Sequence, residues 1–204
     1  DHRHHTLCYF KGDPSEQILA FDLKHSDALG AAFDHLSAQG VPCGMGSAEE
    51  AADRHVNAFM WLLDPTGNRI ELLSRPHDAA RPYFPARDAG VTGFGHVGLC
   101  TTDPVRDQHF WLQHFNAMVS DWIGPCPLMR VNPRHHQMAL FPSTRKGIQH
   151  INYQVQELDD VMRSWYFLQE RGIKIVFGPG RHATSGGIFL YFEGPDGMVY
   201  EYSN

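Results

Sequence analysis

The sequence predicts an α+β fold built from tandem βαβββ modules paired into two domains. Three observations carry this expectation. The 204-residue chain repeats itself at an offset of about 130 residues. A shorter repeat of about 54 residues lies inside its second half. The last copy of the unit reads as strand, helix, strand, strand, strand. Self-similarity at a fixed period marks units that bury their apolar faces against one another.

In chain order, Arg3-His4-His5-Thr6-Leu7 is matched by Arg134-His135-His136-Gln137-Met138 and is expected to be the remnant of a strand. Leu29, Phe33, Leu36 and Gly40 match Val161, Trp165, Leu168 and Gly172, which predicts a helix in each copy. Asp64-Pro65-Thr66-Gly67 followed by Ile70-Glu71-Leu72 matches Gly194-Pro195-Asp196-Gly197 followed by Tyr200-Glu201-Tyr202. Each reads as a turn opening a terminal strand. Residues 75–89 hold three prolines and form the expected linker between a domain over 1–80 and a domain over 90–204. Within the second domain, Gly95-His96-Val97-Gly98-Leu99 with Asp103 at a helix start matches Gln149-His150-Ile151-Asn152-Tyr153 with a helix start near Glu157.

The last module shows the pattern most clearly. Residues 148–155 form a strand. Leu158, Val161, Met162, Trp165 and Leu168 recur at helical spacing, and Arg171 with Gly172 stops the helix. Residues 174–177, 188–192 and 198–202 are strands. The second domain needs about 45 residues before His135-His136, whereas almost nothing precedes His4-His5. The first module is therefore expected to be largely missing from this chain.

Composition bounds the chemistry. Apolar residues make up 42%, the net charge is −6, and Lys and Arg form no run. A nucleic-acid or anionic-membrane partner is not expected, nor is a spanning segment. Cys8, Cys43, Cys100 and Cys126 are scattered without a C-x-x-C pair and read as reduced thiols of a cytoplasmic protein.

Fourteen histidines are the compositional outlier, and the repeat picks out which of them matter. His96 and His150 hold the same place in successive modules, so a pseudo-twofold brings them together. Glu201 lies on the terminal strand, beside the strand of His150. Two imidazoles and one carboxylate with open positions form the triad associated with Fe(II) and O2. In the first half the position of His150 falls between Ile18 and Ala20, which supply no ligand, although Glu71 matches Glu201. That half is expected to be metal-free. Strand alternation lets only one of His135 and His136 face a site. Gly98, two residues after His96, is expected to leave room for a substituted or bicyclic substrate. His109 and His114 read as an ordinary helix face.

Arg181-His182-Ala183-Thr184-Ser185-Gly186, Phe189-Leu190-Tyr191-Phe192, Gly194-Pro195-Asp196-Gly197 and Glu201-Tyr202 together resemble the signature of type I extradiol ring-cleavage dioxygenases, members of the vicinal oxygen chelate superfamily. Gly95-His96-Val97 and Arg134-His135-His136, with His150 downstream, match in order and spacing. The resemblance implies that His96, His150 and Glu201 bind Fe(II), with Mn(II) accepted by the same ligands. It implies that His136 stands near bound O2, that His182 and Tyr191 hydrogen-bond the catecholate oxygens, and that Thr184 borders the substrate with Gly98. It further implies a homo-oligomer acting on a small aromatic diol and O2 in aromatic-compound degradation. A glyoxalase-like lyase or epimerase with another divalent metal is the alternative on the same fold. A metal-free binding protein is a third, and the triad argues against it.

Overall fold

The computed structural model describes residues 3–25, 27–80 and 84–204. Asp1 and His2 of the N-terminal histidine run, and residues 81–83 of the expected linker, lie outside the described residues. The elements in order are β1 (Ile18–Asp22), α1 (Ala28–Ala38), β2 (Cys43–Met45), α2 (Ala48–Asp53), β3 (Val56–Leu63), β4 (Arg69–Pro76), β5 (Val91–Thr101), α3 (Pro104–His114), β6 (Met118–Ile123), β7 (Cys126–Arg130), β8 (Met138–Pro142), β9 (Ile148–Val155), α4 (Leu158–Glu170), β10 (Ile175–Arg181), β11 (Ile188–Glu193) and β12 (Val199–Ser203).

Three copies of one topology are visible in the strand order. The first sheet runs β1-β4-β3-β2 and the second runs β10-β11-β12-β9-β5-β8-β7-β6. In each copy the first strand pairs in parallel with the last: β1 with β4, β5 with β8, and β9 with β12. β5 and β9 join their two modules at the centre of the second sheet as an antiparallel pair. That junction sets Gly98 opposite His150.

The helices form where the sequence supplies both a stripe and caps. α4 buries Val161, Ser164 and Leu168 on one face. Glu157 and Asp160 close a reciprocal capping box at its start, and Gly172 takes φ 64 just past its end. α3 begins at Asp103, whose side chain accepts the N–H groups of Val105 and Arg106, with Pro104 at the first helical position. Trp111 of α3 is fully buried, and one apolar core runs from Leu19, Met60 and Ile70 of the first half to Val97, Met138 and Ile151 of the second. Phe21 and Trp111 meet across that boundary with ring centroids 5.7 Å apart.

Two expectations change. Residues 3–7 form no strand; only an isolated bridge joins Arg3 to Asp78. His135 likewise stands in a bend and His136 in irregular backbone before β8 rather than on it, because Asn132 and Pro133 interrupt the extended backbone. α2 is an element the periodicity did not predict. Four cysteines are free thiols, with Cys100 and Cys126 buried and Cys8 exposed. No helix among the described residues is long and apolar enough to cross a membrane.

Candidate metal centre

His96 sits on β5, His150 on β9 and Glu201 on β12, three strands of one sheet of which β9 touches both others. Each side chain is buried, at 9%, 2% and 0% exposure. Their ligand atoms converge. His96 Nε2 lies 2.9 Å from His150 Nε2 and 3.0 Å from Glu201 Oε2, and His150 Nε2 lies 3.4 Å from the same oxygen. Ligands about 2.1 Å from an ion and at right angles to each other stand about 3 Å apart. The three spacings therefore suit one face of an octahedron. Among the described residues this is the one group of three or more such side chains able to hold an ion.

The donor chemistry fits a cation. Glu201 Oε2 is buried and makes no hydrogen bond of acceptable geometry, which would be costly without a positive charge to meet it. Burial alone would raise the Glu201 carboxyl; the imidazoles of His150, His182 and His96 outweigh it and hold it well below the usual carboxylate range. Burial pushes His96 down against the pull of Glu201, so its imidazole is neutral with a lone pair to offer. The Nδ1–H of His150 donates to Gln149 Oε1. That bond puts the free lone pair of His150 on Nε2, toward the other two ligands.

The surrounding residues line one cavity with the histidines: Ile123, Leu128, Ala139 and Phe141 on an apolar wall, and His136, His182, Thr184, Ser185 and Tyr191 on a polar one. The His136 ring centroid is 4.2 Å from that of His96. His135, its neighbour, is exposed. Burial, together with the neighbouring His96 and His135, pushes His136 down to about 3, so it is neutral at ordinary pH. His182 Nε2 lies 3.1 Å from Glu201 Oε1 and 3.3 Å from the Tyr191 hydroxyl. An ionised carboxylate only accepts, so this nitrogen carries a proton. Tyr191 pairs across the sheet with Glu201. Burial and the Glu201 charge raise its hydroxyl far above the usual range, which makes it a donor and not a base.

Gly98 has a different place from the one expected. It is not on the cavity wall, because the His150 ring covers it. A Cβ there would lie 2.6 Å from His150 Cε1 and closer still to Nδ1. Its small size makes room for the ligand, not for a substrate.

The corresponding place in the first half is built differently. Glu71 pairs with Ala20 in β4–β1 as Glu201 pairs with Asn152 in β12–β9. Ile18 thereby stands where His150 stands. Glu71 is 2% exposed and is gripped by two guanidiniums: Arg54 at 2.7 and 3.0 Å and Arg69 at 3.0 and 3.1 Å. Arg54 caps the C-terminus of α2, so that helix delivers a guanidinium to Glu71. Its start carries a signal in the sequence, Ser47-Ala48-Glu49-Glu50, which folds as a capping box.

Comparisons with known proteins agree with this geometry. Residues 93–202 match the model of the Glyoxalase/Bleomycin resistance protein/Dioxygenase superfamily. An iron-dependent extradiol dioxygenase of Rhodococcus jostii (strain RHA1) is 30% identical over 96% of this chain and 72% of its own length. A 1,2-dihydroxynaphthalene dioxygenase of Sphingobium xenophagum is 25% identical over 98% of this chain and 72% of its own. A solved catechol 2,3-dioxygenase superposes with a TM-score of 0.85 at 24% identity, covering 100% of this chain and 73% of that one. The chain belongs to the Glyoxalase/Bleomycin resistance protein/Dioxygenase superfamily and, within it, to the extradiol dioxygenases.

Proposed function

We propose that His96, His150 and Glu201 hold one Fe(II), and that the chain uses it to open a substituted or bicyclic catechol with O2, beside the diol. The observation that carries this is the convergence of two imidazole nitrogens and a carboxylate oxygen on one point beside an apolar-walled cavity. Bound there, Fe(II) would acidify a coordinated hydroxyl and bring diol and O2 together. Mn(II) suits the same ligand set.

The chain's own residues supply the rest. Tyr191 and His182 line the cavity, and their hydroxyl and imidazole orient and stabilise a phenolate oxygen. His136, neutral and on the His96 side, accepts a proton at a ring nitrogen and returns it as the ring opens. Ile123, Leu128, Ala139 and Phe141 hold the carbon skeleton and exclude water, and the Thr184 hydroxyl, buried without a partner, borders the substrate. The domain over 1–80 takes no part in metal binding in this reading, since Ile18 and the arginine-locked Glu71 leave its described residues no matching ligand set. That asymmetry also favours oxygen chemistry over a lyase or epimerase drawing carboxylates from both halves. We place the enzyme in the cytoplasm as a homo-oligomer in aromatic-compound degradation.

Protein loaded anaerobically with Fe(II) is mixed in air with 2,3-dihydroxybiphenyl, 3-methylcatechol and catechol. A new visible absorbance with matched O2 uptake is expected, largest for the substituted rings. Iron bound without cleavage of any diol would refute the reaction while leaving the ligands in place.

A further inference from the structure

The turn between β3 and β4 inserts a carboxamide between the two strands that carry the histidines. Asn68 is 2% exposed. Its Oδ1 accepts the Gly147 N–H at 2.6 Å, and its Nδ2 donates to the Cys100 carbonyl at 2.9 Å. The Cys100 N–H donates directly to the Gly147 carbonyl at 2.8 Å. In an antiparallel ladder a hydrogen-bonded pair exchanges both bonds. Here one is direct and the other passes through the Asn68 amide. The β5–β9 register shifts at Gly98/Leu99, beside this point. Cys100 is four residues from His96 and Gly147 is three from His150.

The amide has one possible orientation. Asp64, 3% exposed, accepts the Asn68 backbone N–H and the Nδ2–H, each at 2.8 Å. Gly147 N–H can only donate, so Oδ1 must face it. A second amide from the first half, Gln17, accepts the next N–H along, that of Ile148, at 2.6 Å.

The matching turn of the last module serves as a control. Gly194 N–H bonds Met198 O at 2.8 Å and Gly197 N–H bonds Gly194 O at 3.0 Å, as Asp64 bonds Asn68 at 3.0 Å and Gly67 bonds Asp64 at 2.8 Å. The same turn thus closes with Gly194 and Met198 in place of Asp64 and Asn68. The buried Asp–Asn pair is not needed to make the turn.

We propose that Asn68, held by Asp64, is a positioning residue of the metal centre: it sets the separation of β5 and β9 and so the approach of His96 to His150. The inference rests on the proposed ligand set. Metal-free wild type, Asn68→Asp, Asn68→Ala and Thr66→Ala are titrated with Co(II), whose visible spectrum reports ligand number and geometry. Asn68→Asp keeps the side chain's shape and the acceptor for Gly147, but turns an oxygen against the Cys100 carbonyl. Thr66→Ala removes the same turn's contacts with Asp107, Arg106 and the Thr101–Thr102 end of β5 but none with Cys100 or Gly147. Both Asn68 variants are expected to bind Co(II) about ten-fold more weakly, the low end for losing a ligand-orienting partner, with an altered spectrum. Thr66→Ala should keep the wild-type affinity and spectrum whatever its melting temperature. Wild-type affinity and spectrum in a folded Asn68 variant would overturn the proposal, and so would equal losses in Thr66→Ala. A wild type that takes up no Co(II) would instead refute the ligand set, and the inference with it.

Discussion

Gly98→Ala adds one methyl group, and the structure states what that methyl meets. A Cβ at this position would lie 2.6 Å from His150 Cε1 and 3.0 Å from Gln149 Oε1. Carbon atoms rest about 3.5–4.0 Å apart, so the imidazole must retreat by about 1 Å. Its Nε2 now stands 2.9 Å from His96 Nε2 and 3.4 Å from Glu201. Metal–ligand lengths tolerate about 0.2 Å, so the ring cannot retreat and still complete the triad. Affinity for Fe(II) or Co(II) should fall about 100-fold or more, at or beyond the upper end for disturbing a ligand's support. Overpacking should lower stability by about 1–3 kcal/mol. Equilibrium dialysis of the folded metal-free protein measures the first, and urea unfolding the second. Gly93→Ala on the same strand is the control, since a Cβ there meets nothing within 4 Å. Undiminished metal affinity in Gly98→Ala would refute both the ring position and the role of His150.

His150→Ala should lose the metal, whereas His136→Ala should keep it and lose turnover; atomic absorption beside an O2 electrode separates the two, and normal turnover in His136→Ala would remove that residue from the mechanism. His136 has its folded value pushed down to about 3 by burial, below an unfolded value of about 6.5. Between those values the unfolded chain binds the extra proton, so this contribution to stability is present above pH 6.5 and is lost as pH falls toward 3. His136→Gln should therefore flatten the stability–pH slope of the metal-free protein in that window by up to about 1.4 kcal/mol per pH unit, as read by urea unfolding at stepped pH. Arg54→Ala strips one guanidinium from Glu71 and should cost about 3 kcal/mol, since a buried charge loses its main partner, while Co(II) affinity stays at the wild-type value.

How legible each feature was depends on how local its cause is. Residues 148–155 and the helix from Leu158 appear where the sequence places them, because their patterns and caps are set by neighbours in the chain. The triad was legible for another reason: repetition substitutes for distance information, and His96 and His150 carry the same label in two modules. The bend at His135 is not legible in the sequence, because the two-residue alternation runs on past Pro133, where the strand breaks. α2 was missed because its six residues are too few to show a helical period. Gly98 was misplaced because strand alternation gives a residue's face but not the neighbour that fills it. The Asn68 link was out of reach altogether, since it joins residues 79 positions apart through a side chain whose partners are backbone atoms of no particular residue type.

At this triad, in the proposed function, both atoms of O2 enter a catechol beside the diol. The most direct test is mass spectrometry of the product formed from 2,3-dihydroxybiphenyl under 18O2, with product trapped before its carbonyl exchanges with water. The expected product carries two labelled oxygens, one in a carboxylate formed from one former hydroxyl carbon and one in a ketone formed on the phenyl-bearing carbon beside it, the bond between those two carbons being broken. A product with one label, with none, or with the bond between the two hydroxyl carbons broken would contradict it.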